Sequence, residues 1–509
     1  MKTIKLLFAA AAMVLSMAAC EKNVGIESES EEPETSGKLV SAQLISEESL
    51  TDMVNSNLAK VKSSGDWSAV ELTAIDQAPN VLYGIIDMFI KDLDAEDRAS
   101  IPDFGLKVKT WRIEYKTLGG FENKEEVTMT ADVAYITDKY DRLSRKLESV
   151  SVYNCNINIA AGDLTYFRDL IIPMRAAHNA LVVYPFYQGI GCDLGKHVVA
   201  PGEYLAKGRQ AIDAEIAALE LIASLKEEGK EDVEMMDGYY TEIMGSSNGG
   251  GATLAMQYLL ETDPQMKEIN ESIINLKGSF IGDGCLSVRN IFPLLMTEVE
   301  CPDSMGESML SVDAVKPGTY LTIVVSSYMT WRKGNYTSNV GEDRELLDSY
   351  FDSSFLHKEY YNRDCNYIDA FIKGYYYWGI YWDFDDFTIG DVVNKNLLDQ
   401  NGALNKEDDR MKTLDGFFAK NEVMLSGWSP KATLKIKHST ADEFIPIEYT
   451  REWYNSLSEG GTNENVIFEE VNIGTGHVTS AILCMLVDIM IKKHPQSADF
   501  PQWWYKLEK

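Results

Sequence analysis

Ser247 stands in Gly245-Ser246-Ser247-Asn248-Gly249, a serine between two glycines at the end of an apolar run and just ahead of a helix-like segment. In a GxSxG turn the reversal from strand to helix presents the serine hydroxyl at the top of a sheet, and side chains two places to either side would collide. Ser246, flanked at those places by Met244 and Asn248, fits less well. A serine hydroxyl becomes a useful nucleophile only when an imidazole takes its proton and an acid orients that imidazole. The chain has six histidines. His477, in Gly474-Thr475-Gly476-His477, follows a strand-like run and opens a helix-like one, the loop position a general base needs. His178, His197, His357 and His494 have no such setting and read as surface or loop residues. For the acid, Asp442 lies in the loop beyond the strand-like run that ends in His438, giving the order Ser, Asp, His. Glu443 and Asp283 are rival acids, and His438 reads as structural.

These groups need a sheet to hold them. Alternation at Trp111, Ile113 and Tyr115, and again at Val127, Met129, Ala131 and Val133, predicts a β pair. Leu147–Val152 reads as a short apolar strand, and Leu181–Tyr184 as an apolar run of the kind buried on both faces of a parallel sheet. Apolar residues recur with helical spacing between Glu203 and Leu225. Tyr239–Met244 leads into the serine turn, and Asn248–Leu260 continues as a helix. Further strands are predicted at Ile274–Ile281, Leu434–Lys437 and Val466–Val471. Strand and helix alternate as in a doubly wound α/β sheet opened by an antiparallel pair. The rhythm breaks over residues 285–429, read as a mostly helical cap projecting from the C-terminal edge of the sheet. The core is then 39–284 with 430–509.

The N-terminus has a different composition. Lys2 and Lys5 precede the apolar run Leu6–Leu15, which is too short to span a bilayer and reads as an export signal. Small residues directly before Cys20 resemble a bacterial lipobox, so residues 1–19 are expected to be removed and Cys20 lipidated. Residues 20–38, rich in Glu, Ser, Pro and Gly, read as a flexible acidic tether. The expected location is the bacterial cell envelope, lipid-anchored, at the outer membrane. The formal charge of −32 becomes two more negative once Lys2 and Lys5 are lost, a surface that repels nucleic acid and anionic headgroups. With 45% hydrophobic residues the chain can bury a large core. The cysteines beyond Cys20 show no disulfide framework. Cys484 reads as an inert core thiol, and at most one bridge is expected, Cys285 with Cys301 or Cys301 with Cys365. No HExxH, paired CxxC, P-loop or dinucleotide glycine signature is present, so neither metal nor cofactor is implied.

The stretches GSSNGGG (245–251), HSTADEFIP (438–446) and GTGH (474–477), in this order, resemble the α/β-hydrolase superfamily, notably its secreted lipase-like esterases. HSTADEFIP is similar to the HGxxDxxVP acid loop also found in prolyl-oligopeptidase-type peptidases. The resemblance implies an α/β-hydrolase fold and a serine hydrolase that cleaves carboxylic esters through an acyl-enzyme, with Ser247 as nucleophile, His477 as base and Asp442 as its partner. It also implies an oxyanion hole of two backbone N–H groups, one from Asn248 and the other from Cys155 or Asn156. Relatives carry His and Gly in that second loop, where this chain has Tyr153-Asn154-Cys155-Asn156. The aromatic segment of the cap, with Tyr376, Trp378 and Trp382, could line a pocket for a small-molecule or glycan ester, or form cap core. A peptidase of the prolyl-oligopeptidase type uses the same triad; a non-catalytic glycan-binding surface lipoprotein shares the length, tether and cap aromatics, but would not need the ordered Ser, Asp and His loops.

Overall fold

The computed structural model describes residues 37–50, 52, 53, 55, 56, 59, 106–120, 126–138, 145–154, 165–176, 178–188, 192, 202–289, 349–350, 394–400, 405–440, 442, 445–458, 463–472, 477, 480, 481 and 484. Its centre is a nine-stranded sheet in the order β1-β2-β3-β5-β4-β6-β7-β8-β9. Strands β1 (Leu39–Ser49), β2 (Leu106–Leu118) and β3 (Glu126–Asp138) form an antiparallel ribbon, and β3 pairs antiparallel with β5 (Ala180–Pro185). From β5 onward every neighbour is parallel: β4 (Arg145–Asn154), β6 (Val233–Ser247), β7 (Leu276–Gly284), β8 (Thr433–Ser439) and β9 (Val466–Val471). Ala180–Pro185 is buried at all six positions, which explains why its apolar run does not alternate.

The chain leaves β4 through α1 (Thr165–Ala176) to reach β5 on one side, then crosses through α2 (Tyr204–Glu227) to β6 on the other side of β4. Right-handed crossovers in opposite directions put α1 and α2 on opposite faces of the sheet. At such a reversal of strand order, open α/β sheets bind their ligands in a crevice outside the C-terminal ends of the strands. Asn154 pairs with Gly245 at that point. The sheet therefore sets the mouth of the crevice beside the serine turn.

Helix α3 (Asn248–Thr262) packs against α2 on the same face, with Ile212, Leu219, Leu254, Ala255 and Leu259 in the common core. The two backbones touch at Gly208, where a Cβ would lie 2.7 Å from the Met256 nitrogen. Short α4 (Pro264–Ile269) leads to β7; its first turn is capped by the Asp263 carboxylate, which accepts from the Gln265 and Met266 amides. Within 285–429, α5 (Asp409–Lys420) is described, and α6 (Ile447–Ser458) joins β8 to β9. Among the described residues no helix is long and apolar enough to cross a membrane.

Most predicted strands lie within a few residues of their observed ends. Ile274 instead closes a π-helical turn, and β7 starts at Leu276. The elements β1, α1, α4, α6 and the first half of β6 had no counterpart in the sequence reading. β1 is exposed along most of its length, so it lacks a burial alternation, and its order comes from pairing with β2. Gly37, inside the stretch read as tether, donates its amide to the Lys116 carbonyl at 2.7 Å. His178, read as a surface or loop residue, occupies a turn but is buried. Cys192, Cys285 and Cys484 carry free thiols, which removes the Cys285–Cys301 bridge, while Cys301 and Cys365 lie outside the described residues.

One buried group makes stability depend on pH. The Thr241 hydroxyl has a single proton and stands between the Ile274 carbonyl, at 2.9 Å, and the Glu215 carboxyl. If that proton goes to the carbonyl, the carboxyl must be neutral and donate in turn. Burial pushes Glu215 from 4.5 up to about 8. Relative stability is then greatest below about 4.5, declines as pH rises toward about 8, and is flat above that value. Glu215→Gln should leave the melting temperature nearly unchanged at pH 5 and raise it by about 3 °C or more at pH 9. Thermal melts at the two pH values check this; an equal shift at both would contradict it.

Candidate active site

Ser247 ends β6 and precedes the first residue of α3 with φ 51° and ψ −128°, a conformation that L-residues rarely adopt. The turn is enforced by its neighbours. A Cβ on Gly245 would fall inside the Gly249 carbonyl group and 2.6 Å from the Thr253 hydroxyl, and one on Gly250 would meet the Gly284 Cα at 2.6 Å. The Cys285 amide donates to the Ser247 carbonyl at 2.8 Å, tying the turn to the end of β7. Underneath, Asn154 Nδ2 donates to Thr253 Oγ1 at 3.1 Å, joining the end of β4 to α3. Ser246 points away from the crevice; it is fully buried, with its hydroxyl 3.2 Å from that of Tyr153. Of the two adjacent serines, Ser247 is the one that meets an imidazole.

His477 Nε2 lies 2.8 Å from Ser247 Oγ, and His477 Nδ1 lies 2.8 Å from Asp442 Oδ2. An ionised Asp442 can only accept, so Nδ1 carries the proton and Nε2 is left to receive one from the serine. Burial alone would raise the Asp442 carboxyl. The opposing charge of His477 and hydrogen bonds from His438 and His477 outweigh it and hold Asp442 well below the usual carboxylate range. The Ile445 amide donates to its other oxygen at 2.8 Å.

Two further titratable groups stand behind this line. Asp283, at the end of β7 with φ 44°, accepts from the Ser439 amide at 2.6 Å. Burial first, and then the charge of Asp442, push its carboxyl up, opposite to the shift at Asp442. His438, read as structural, has Nε2 2.8 Å from the Ile445 carbonyl and 3.5 Å from Asp442 Oδ2, while its Nδ1 lies 3.0 Å from Thr450 Oγ1. Asp283, His438 and Asp442 bring potential ligand atoms within 4.8 Å of one another. A metal there would need a lone pair on His438, but Nε2 has to donate to a carbonyl and Nδ1 faces a hydroxyl. It would also need the Asp442 oxygen that His477 uses.

Of the other predicted site residues, Asn248 is buried in the first turn of α3, where amide groups and the helix dipole favour negative charge. Cys155, Asn156, Cys20, Tyr376, Trp378, Trp382 and Glu443 lie outside the described residues. The supports from Tyr153, Thr253 and the Cys285 amide were missed by sequence reasoning, because ordinary strand and helix residues carry no signal of a cross-strand partner.

No family model matches the chain, and no curated protein does. Solved structures do match. A protein from Legionella pneumophila, provisionally named a hydrolase, aligns over 91% of this chain and 99% of its own with a TM-score of 0.56 at 16% identity. The rice cell wall degrading esterase LipA from Xanthomonas oryzae aligns over 90% of this chain and 98% of its own, with a TM-score of 0.54 at 13% identity. A ligand-bound form of LipA matches equally well. The chain has the α/β-hydrolase fold, as the three sequence motifs implied.

Because the collision at Gly245 is with backbone, Gly245→Ala should lower the melting temperature by roughly 5 °C or more and distort the Ser247 turn. Melting curves beside the wild type test this, and an unchanged melting temperature would show that the turn can open to admit a methyl group.

Proposed function

We propose that the protein is a serine hydrolase that cleaves carboxylic esters through an acyl-enzyme. One observation carries the reading: a continuous line of hydrogen bonds from Asp442 through His477 to Ser247, with Ser247 held in a strained turn at the mouth of the crevice. Ser247 Oγ attacks the ester carbonyl while its proton passes to His477 Nε2. Asp442 stabilises the imidazolium and keeps the ring in place. Charge on the former carbonyl oxygen is received by the Asn248 amide and by a second amide from Cys155 or Asn156. The imidazolium then protonates the departing alcohol, and a water activated by His477 releases the acid.

The substrate we propose is a small-molecule or glycan ester. The name of the LipA neighbour, a cell wall degrading esterase, and its ligand-bound form support that class at the level of fold likeness. Tyr376, Trp378 and Trp382 are proposed to line its pocket within a cap at 285–429. Lipidation of Cys20 would anchor the mature chain in the envelope by the tether; a Cys20→Ala variant should leave the membrane fraction for the soluble one.

The nucleophile is tested with a fluorophosphonate probe. Wild-type protein should label at Ser247 and turn over nitrophenyl esters, whereas Ser247→Ala should lose labelling and about 10⁴-fold or more in kcat. Lack of labelling and turnover in the wild type would sink the enzyme reading, and a preference for aminoacyl substrates would redirect it to peptidase chemistry. The acid limb of kcat/KM should not carry the Asp442 carboxyl, because that group is held well below the usual carboxylate range.

A further inference from the structure

Asp283 and His438 are spent on neither nucleophile nor base, yet both are fully buried directly behind Asp442. Burial of two such groups beside a third carboxylate is costly unless each is bonded. Asp283 contacts both halves of the site. Its Oδ1 accepts from the Ser439 amide at the end of β8, the strand that launches the Asp442 loop. Its other side meets the helical turn bearing His477, where Cys484 Sγ lies 3.9 Å from Oδ2. Ser480 Oγ donates to the His477 carbonyl at 3.1 Å.

His438 completes the other side. Its Nε2 proton is held by the Ile445 carbonyl and stands 3.5 Å from the Asp442 oxygen that His477 uses. The charged and titratable groups facing it are Asp283 from β7 at 4.0 Å, Asp442 from the acid loop, and Glu470 from β9, whose carboxyl its charge lowers, with the Thr450 hydroxyl from α6.

We propose that Asp283 and His438 are positioning residues, a second acid–imidazole pair that ties β8, which launches the Asp442 loop, to the helical turn bearing His477 and holds the two at hydrogen-bonding distance. This rests on the serine hydrolase reading for its kinetic consequence but not for its geometry. Burial would lower the His438 ring, but the Asp442 hydrogen bond and the charges of Asp283 and Asp442 raise it. When His438 is protonated, its charge is offset by the acids beside it. The same positive charge opposes protonation of His477.

The test uses the full-length protein with Asp283→Asn, Asp283→Leu and His438→Gln. Asparagine keeps the Oδ1 that accepts from the Ser439 amide, whereas leucine cannot accept. Asp283→Leu should lower kcat and the fluorophosphonate labelling rate by about 30-fold or more while KM changes less than about threefold, since small misplacements act on the chemical step. Asp283→Asn should recover at least about tenfold of that loss. NMR titration of the histidine ring protons gives a readout independent of turnover: His438→Gln should move the His477 midpoint to higher pH by about half a unit or more. If Asp283→Leu does not fold, the Asn variant and the titration decide. An unmoved His477 midpoint, or an Asn variant as impaired as the Leu variant, would overturn the proposal. If the wild type fails to label at Ser247 while the titration moves as expected, the functional reading fails and the positioning pair stands.

Discussion

The backbone of one residue organises this molecule. Ser247 holds a conformation with φ 51° that costs on the order of 1–3 kcal/mol for a side chain other than glycine, and such strain persists only where the surroundings over-determine it. The surroundings here are β6 and α3, joined without a linking loop, so the strand must reverse into the helix within a single residue. Gly245 admits the Gly249 carbonyl, Gly250 admits the end of β7, and the Cys285 amide ties down the Ser247 carbonyl. Relaxing the turn would separate α3 from the sheet and the hydroxyl from His477.

Around that constraint the sheet topology does the gathering. Reversal of strand order at β4 leaves a crevice beside Ser247, and the parallel strands β6, β7 and β8 end on the same edge. Residues far apart in the chain, Ser247, Asp283, Asp442 and His477, therefore converge within a few hydrogen bonds. Each is delivered by a loop or turn at or beyond a strand's C-terminal end, so its position follows the register of the sheet and not its place in the sequence.

The electrostatics behind the serine obey one rule. Two carboxylates in a buried space cannot both ionise cheaply, and the surroundings decide which does. Asp442 has two imidazoles and the Ile445 amide around it and stays charged. Asp283, with weaker donors and Asp442 next to it, is pushed toward neutrality. Identical chemistry at two positions is thus divided into an acceptor for the base and a bonded strut.

The sequence by itself determined the parts whose constraints are local. GxSxG forbids side chains at two places and so announces a turn; an apolar run without alternation, as at Leu181–Tyr184, announces a strand covered on both faces; Asp442 and His477 follow strand-like runs in the required order. It did not reveal β1, which lacks a burial pattern because one side pairs and the rest faces solvent. Nor did it reveal the partnership of Asp283 and His438, since a hydrogen bond between residues 156 positions apart, such as Ser439 to Asp283, leaves no trace in spacing. Tertiary structure alone decided which serine faces the imidazole, which acid is ionised and what supports both. Those outcomes depend on distances of a few ångströms and on burial, and both exist only after β6, β7 and β8 lie side by side.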